Sequence, residues 1–137
     1  MNRRSNVKRT RADGEMTFLL KTEKFIDYTM VVTNKNDTFP KKLRFTLTNR
    51  IVDLSLDVYH NLLHANEIFP LNREQIERRL ELQRLAITHL KELDFLIRLS
   101  RHRGYINDKE LKHWSYLMAD TRKTATSWHR SDKERYK

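Results

Sequence analysis

The sequence predicts an all-α protein, an antiparallel up-down-up-down four-helix bundle, on three observations. Only 2 glycines and 2 prolines punctuate 137 residues, too few for the tight turns of a sheet-rich fold. The Leu, Arg, Lys, Glu and Ile content suits helices. Apolar residues also recur at steps of three and four along four successive segments, and short connections between such segments favour antiparallel neighbours. A chain of this length has room for one ordinary domain and one core.

Residues 1–15 lack apolar periodicity and read as a disordered basic arm. The bundle is expected over 16–130 and a basic tail over 131–137. The first helix starts near Met16, with Phe18, Thr22, Phe25, Thr29 and Val32 on its core face, and "TNKND" with Pro40 terminates it. The second begins near "DTFPKK" with Pro40 in its first turn and runs to about Glu67 on a stripe of Leu47, Ile51, Leu54, Val58 and Leu62. The third opens at "LNREQ", where Asn72 can cap and Gln75 can close a capping box, and ends at Gly104. The fourth opens at Asn107 with Glu110 three residues on, and carries Leu111, Trp114, Met118, Thr121, Ala125 and Trp128.

Helix two is apolar on two sides. Phe45, Val52, Leu56, Tyr59 and Leu63 cluster about 120 to 180° from the Leu47 stripe. Phe95 and Leu99 repeat the pattern more weakly on helix three. These seven residues are the expected oligomer interface, because exposed patches of this kind mark contacts with a partner. The alternative is a wide bundle seam, reached by the first helix, that absorbs Phe45 and Val52.

Charge is distributed unevenly. The net charge is +10, from 28 Lys and Arg against 18 Asp and Glu. Residues 1–12 hold five bases and no acid, and residues 98–137 hold eleven bases and five acids, so the excess sits at the chain ends. That polarity is the footprint expected of binding to a phosphate backbone. The candidate nucleic-acid contacts are Arg98, Arg101, Arg103, Lys112, Arg122, Lys123 and Arg130, with Arg3, Arg4, Lys8, Arg9 and Arg11 adding charge from the arm. Within "FLIRLSRHRGY", Arg103 reads as charge closing a helix C-terminus. Arg101 flanks the core, and Arg98 points toward a partner.

Several classes of chemistry find no footing. Cysteine is absent, which removes disulfides, thiolate metal sites and thiol nucleophiles and makes a cytoplasmic location the expectation. No apolar run approaches the roughly 20 residues of a membrane span. The HEXXH, Walker, GXGXXG and GXSXG motifs are missing. His60 and His64 have the i,i+4 spacing of a zinc pair but lack a third ligand, so surface histidines are expected there and no metal or other cofactor. His89 is expected to be a hydrogen-bonded core histidine, and Trp114 and Trp128 to be core residues. No catalytic constellation is visible, and the chain is expected not to be an enzyme.

The run "FPKKLRFTLTNRI" from Phe39 to Ile51, then "LDVYHNLLHAN", "LKELDFLIRLSRHRGYI" and a tryptophan near the end of helix four together resemble one family. It is the accessory variability determinant family of diversity-generating retroelements. The resemblance implies a four-helix protomer assembled into a cyclic homo-pentamer, which binds a reverse transcriptase together with template RNA and complementary DNA. Such a protein supports complementary-DNA synthesis in mutagenic retrohoming without being the catalyst. Arg98 matches the family's arginine within "LIRL", and Gly104 its helix-ending glycine. Where members carry a "GRLLGGW"-like stretch this chain has "TRKTATSW", matching at Arg122 and Trp128. Four-helix proteins encoded in ribosomal RNA intervening sequences share the bundle and the "FP" opening and are the nearest competing family. The alternative function is an oligomeric protein-interaction adaptor whose positive charge is incidental, or such an intervening-sequence protein, with no reverse transcriptase partner.

Overall fold

A computed structural model of the chain describes residues 11–35 and 37–137. Its described residues form four α-helices and no strand: α1 (Arg11–Asn34), α2 (Asn49–Glu67), α3 (Arg73–His102) and α4 (Asp108–Arg135). Each packs against its neighbour in the chain, and α4 closes the ring against α1. Cross-links show the antiparallel sense. Lys35, at the end of α1, meets Glu110 at the start of α4, whereas Lys21 meets Asp120 further along.

The core follows the predicted stripes on the first, second and fourth helices, and on the third it is centred on Leu90, Leu93 and Ile97, with Ala86 and Leu96 buried beside them. Phe18, Phe25 and Val32 of α1, Ile51, Val58 and Leu62 of α2, Leu90, Leu93 and Ile97 of α3, and Trp114 and Met118 of α4 are buried. Thr22, Thr29 and Thr33 line the core face of α1 because each hydroxyl donates to the carbonyl four residues back, at 2.7 to 2.8 Å, which satisfies the buried oxygen within its own helix. Thr29 Oγ1 also accepts from Trp114 Nε1 at 2.9 Å, tying α1 to α4.

The helix ends show local chemistry at work. Asn107 and Glu110 form the expected capping box, with Glu110 N–H donating to Asn107 Oδ1 at 2.8 Å and Asn107 N–H to Glu110 Oε1 at 2.9 Å. Asn72 caps α3 by accepting from Gln75 N–H at 2.9 Å, but Gln75 Oε1 accepts from Leu71 N–H, one residue before the expected partner. Gly104 has φ of 82°, the left-handed conformation that closes α3.

Three boundaries differ from the sequence reading. Helical backbone begins at Arg11, where the reading placed an arm to 15. The second helix does not start as a regular α-helix at Pro40: a 3₁₀ turn at Lys41–Leu43 and a π turn at Arg44–Thr48 precede α2. Phe39 is buried and its ring lies 5.4 Å from that of Tyr105, so the chain is already anchored on the core before the α-helix begins. The fourth helix continues through Arg135 rather than giving way to a tail at 131, because Asp132 extends its core stripe one turn past Trp128 and is fully buried.

Candidate nucleic-acid interface

The geometry of α4 sorts its charges. Trp114, Met118, Thr121, Ala125, Trp128 and Asp132 face inward. At 100° per residue, Lys112, Tyr116, Lys123 and Arg130 all project within about 20° of the direction opposite that stripe. Each acid of α4 has an ionic partner. Glu110 pairs with Lys35 at 2.7 Å, Asp120 with Lys21 at 3.2 Å, Asp108 with Arg101 at 2.6 Å and Glu134 with Lys137 at 3.4 Å, while Asp132 holds Arg79 at 2.7 Å. Lys35 and the Asn107 backbone hold the Glu110 carboxyl below its ordinary range, and the Arg101 guanidinium does the same to Asp108. Lys109, Lys112, Arg122, Lys123, Arg130 and Lys133 make no ion pair or hydrogen bond with any described residue. From Lys109 to Arg130 the outward side of α4 therefore carries positive charge, and Glu134, one turn past Arg130 on the same side, is paired with Lys137. Charges unpaired at the surface are the ones that reach a polyanion across a Debye length.

The predicted contacts are distributed unequally over this surface. Lys112, Lys123 and Arg130 are exposed on it, and Arg122 is half-buried on the side of α4 that leads to His129 and α3. Arg103 is exposed at the end of α3, and its side chain has no partner among the described residues. Two candidates are engaged inside the chain. Arg98 sits 3.4 Å from Asp94, one turn back, with its side chain 60% exposed, and Arg101 is paired to Asp108 across the α3–α4 connection. Arg3, Arg4, Lys8 and Arg9 lie outside the described residues, as does the side chain of Arg11.

Behind this surface lies a cluster that sequence reasoning missed. Arg79 Nε donates to Asp132 Oδ2 at 2.7 Å and its NH1 to the Ile68 carbonyl at 3.2 Å. Gln83 Nε2 donates to the same Asp132 oxygen at 2.7 Å, and Arg135 to the other at 2.9 Å. The Gln83 amide oxygen then faces His129 Nδ1 at 2.9 Å, so the imidazole donates from Nδ1. Burial first, and then the positive charges of Lys133 and Arg84, hold His129 below its ordinary pKa. Arg79 also lies 5.0 Å over the Trp128 ring, which stacks on Phe18 at 4.1 Å. Arg79 was readable as a core position, since it shares a helical face with Gln83, Ala86 and Leu90.

On the opposite side, the expected interface residues divide. Phe45 is 82% exposed, Phe95 51% and Leu56 44%. Val52, Tyr59, Leu63 and Leu99 are half-buried, the last three packed against the core. Helix α1 covers part of this face: Ile26 and Met30 line a groove with Leu56, Tyr59 and Leu63, and the Tyr59 hydroxyl donates to Glu23 at 3.4 Å. The His60 and His64 rings stack at 4.0 Å on the exposed side of α2, and no group of three or more metal-ligating side chains occurs among the described residues. His89 is not the hydrogen-bonded core histidine expected. It is half-buried and has no hydrogen-bond partner among the described residues, because it flanks the stripe of Ala86, Leu90 and Leu93 rather than lying in it.

Fold and surface together define a four-helix bundle with one cationic helix face, and among the described residues no helix is long and apolar enough to cross a membrane. Among solved structures, the chain is similar to a protein of unknown function from the S23 ribosomal protein family of Bacteroides thetaiotaomicron. The two share a TM-score of 0.71 at 12% identity, over 85% of this chain and 98% of that one. At that identity the likeness is one of fold. No family model and no curated protein matches the chain.

Proposed function

We propose that this chain is a non-catalytic nucleic-acid-binding protein whose α4 face holds RNA or complementary DNA beside a reverse transcriptase, in a homo-oligomer with the pentameric assembly that the family resemblance implies. The observation that carries the binding step is the outward side of α4, where Lys112, Lys123 and Arg130 stand exposed without ionic partners among the described residues while each acid of that helix is held in an ion pair. Phosphate contacts supply the affinity and make it salt-dependent. The exposed Phe45, Leu56 and Phe95 supply the subunit contact on the other side of the bundle. The reverse transcriptase and the retrohoming role rest on the resemblance of "FPKKLRFTLTNRI" and "LIRL" to the accessory variability determinant family.

Two measurements test this reading. Light scattering at micromolar concentration is expected to give an oligomer that Phe45→Glu with Leu56→Glu dissociates, and a wild-type monomer would remove the assembly. A gel shift with RNA is expected to show binding, and affinity purification with a reverse transcriptase encoded beside the gene is expected to recover a complex. The fold likeness to an S23-family protein favours a second reading of the same surface, binding of ribosomal RNA without a polymerase partner. RNA binding with no reverse transcriptase recovered would select it.

A further inference from the structure

We propose that Tyr116 is a base-stacking platform that makes the α4 face a site for single-stranded nucleic acid in preference to duplex. The inference rests on the nucleic-acid reading of that face and adds what the bound strand must offer. Tyr116 is 63% exposed and has no hydrogen-bond, ion-pair or ring partner among the described residues. It therefore contributes little to holding the bundle together. Its placement is specific. The ring stands opposite the core stripe, one turn after Lys112 and two turns before Lys123, at a rise of about 6 Å and about 10 Å along the helix. Of the positions one turn away, Ala119 is small, Asp120 is drawn to Lys21 and the His113 ring packs edge-on against Tyr28, so the Tyr116 ring stays open to solvent beside Lys112.

Cations alone serve any polyanion, and the denser charge of a duplex attracts them at least as strongly as that of a single strand. An aromatic face is a different instrument. In a duplex each base is stacked between its neighbours and presents only its edges in the grooves, so the ring of Tyr116 would meet sugar and phosphate. In a single strand a base can turn outward and lie on the ring while the flanking phosphates reach the lysines on either side. A helix is convex and has no groove to enclose a strand, which leaves stacking as the contact that holds a base in place.

The experiment measures, by fluorescence anisotropy at one fixed salt concentration, the affinity of the full chain for a labelled single-stranded RNA and for a duplex of the same length. Wild type is expected to favour the single strand. Tyr116→Ala is expected to weaken single-strand binding by about 5- to 150-fold, leave the salt slope and the duplex affinity unchanged, and keep the wild-type melting curve. Tyr116→Phe, which retains the ring, is expected to bind as wild type does. If Tyr116→Ala binds normally while Lys112→Ala with Lys123→Ala binds weakly, stacking is refuted and the nucleic-acid reading stands. If Tyr116→Ala weakens single strand and duplex equally, strand preference is refuted. If wild type binds neither, the nucleic-acid reading fails and this inference with it.

Discussion

Replacing Lys112 and Lys123 with alanine tests the electrostatics of the α4 face quantitatively. Both are exposed, neither has an ionic partner among the described residues, and their removal leaves no buried group unsatisfied. If Lys112, Arg122, Lys123 and Arg130 each neutralise one phosphate of a single strand, the slope of log affinity against log salt is about −0.7 × 4, or roughly −2.8. Affinity then falls about 50-fold between roughly 50 and 200 mM salt. The double variant retains two of these contacts, so its slope is about −1.4 and the same change in salt costs only about 7-fold. Anisotropy of a labelled RNA across that range reads both numbers. Arg98→Ala is the internal control: its charge is already matched by Asp94 at 3.4 Å, and it is expected to move the slope by less than about half a unit. A double variant with the wild-type slope, or an Arg98→Ala effect as large as that of the two lysines, would refute the reasoning.

Three further outcomes concern the bundle. Asp132→Ala strips Arg79 of its buried carboxylate, and urea unfolding is expected to show a loss of about 3 to 5 kcal/mol. The double replacement Arg79→Met with Asp132→Leu should recover much of it, because no charge is then left buried. His129 has its pKa lowered in the fold, so the unfolded chain takes up the proton first. Its contribution is present above the unfolded value of about 6.5 and is lost as pH falls below it. The urea midpoint should therefore decline as pH falls through about 6.5, and less steeply in His129→Gln. Glu110 and Asp108, whose pKa values are also lowered, act only in the more acidic range of carboxylates. Gly104→Ala is expected to cost about 1 to 2 kcal/mol by thermal unfolding, from the left-handed φ of 82° alone, since no atom lies within 4 Å of the added Cβ. Gly104→Asn should cost less.

Local features were legible in the sequence, and features that depend on distant partners were not. Asn107 with Glu110 and Gly104 act through backbone groups a few residues away, so their roles follow from spacing. The stripes of Phe25, Ile51 and Trp114 follow from period alone. Arg79 and Asp132 look like surface charges until the helices are packed, because each is buried only by meeting the other across α3 and α4. Both stood at core positions of their helices, and that signal was outweighed by charge. Arg98 shows the converse: Asp94 lies four residues before it, a spacing at which a pair is expected. The sorting of the α4 charges needed α1 in place, since Glu110 and Asp120 are matched by Lys35 and Lys21.

The central claim is that nucleic acid lies on the outward side of α4. Photocrosslinking of a single-stranded RNA carrying 4-thiouridine, with the adducts mapped by mass spectrometry, reads that contact directly. Adducts concentrated between Lys109 and Arg130, with Tyr116 and the flanking lysines among the modified residues, are the predicted result. Adducts confined to the α1–α2 face around Glu23, Leu56 and Tyr59, or none at all under conditions where a known RNA-binding protein crosslinks, would contradict it.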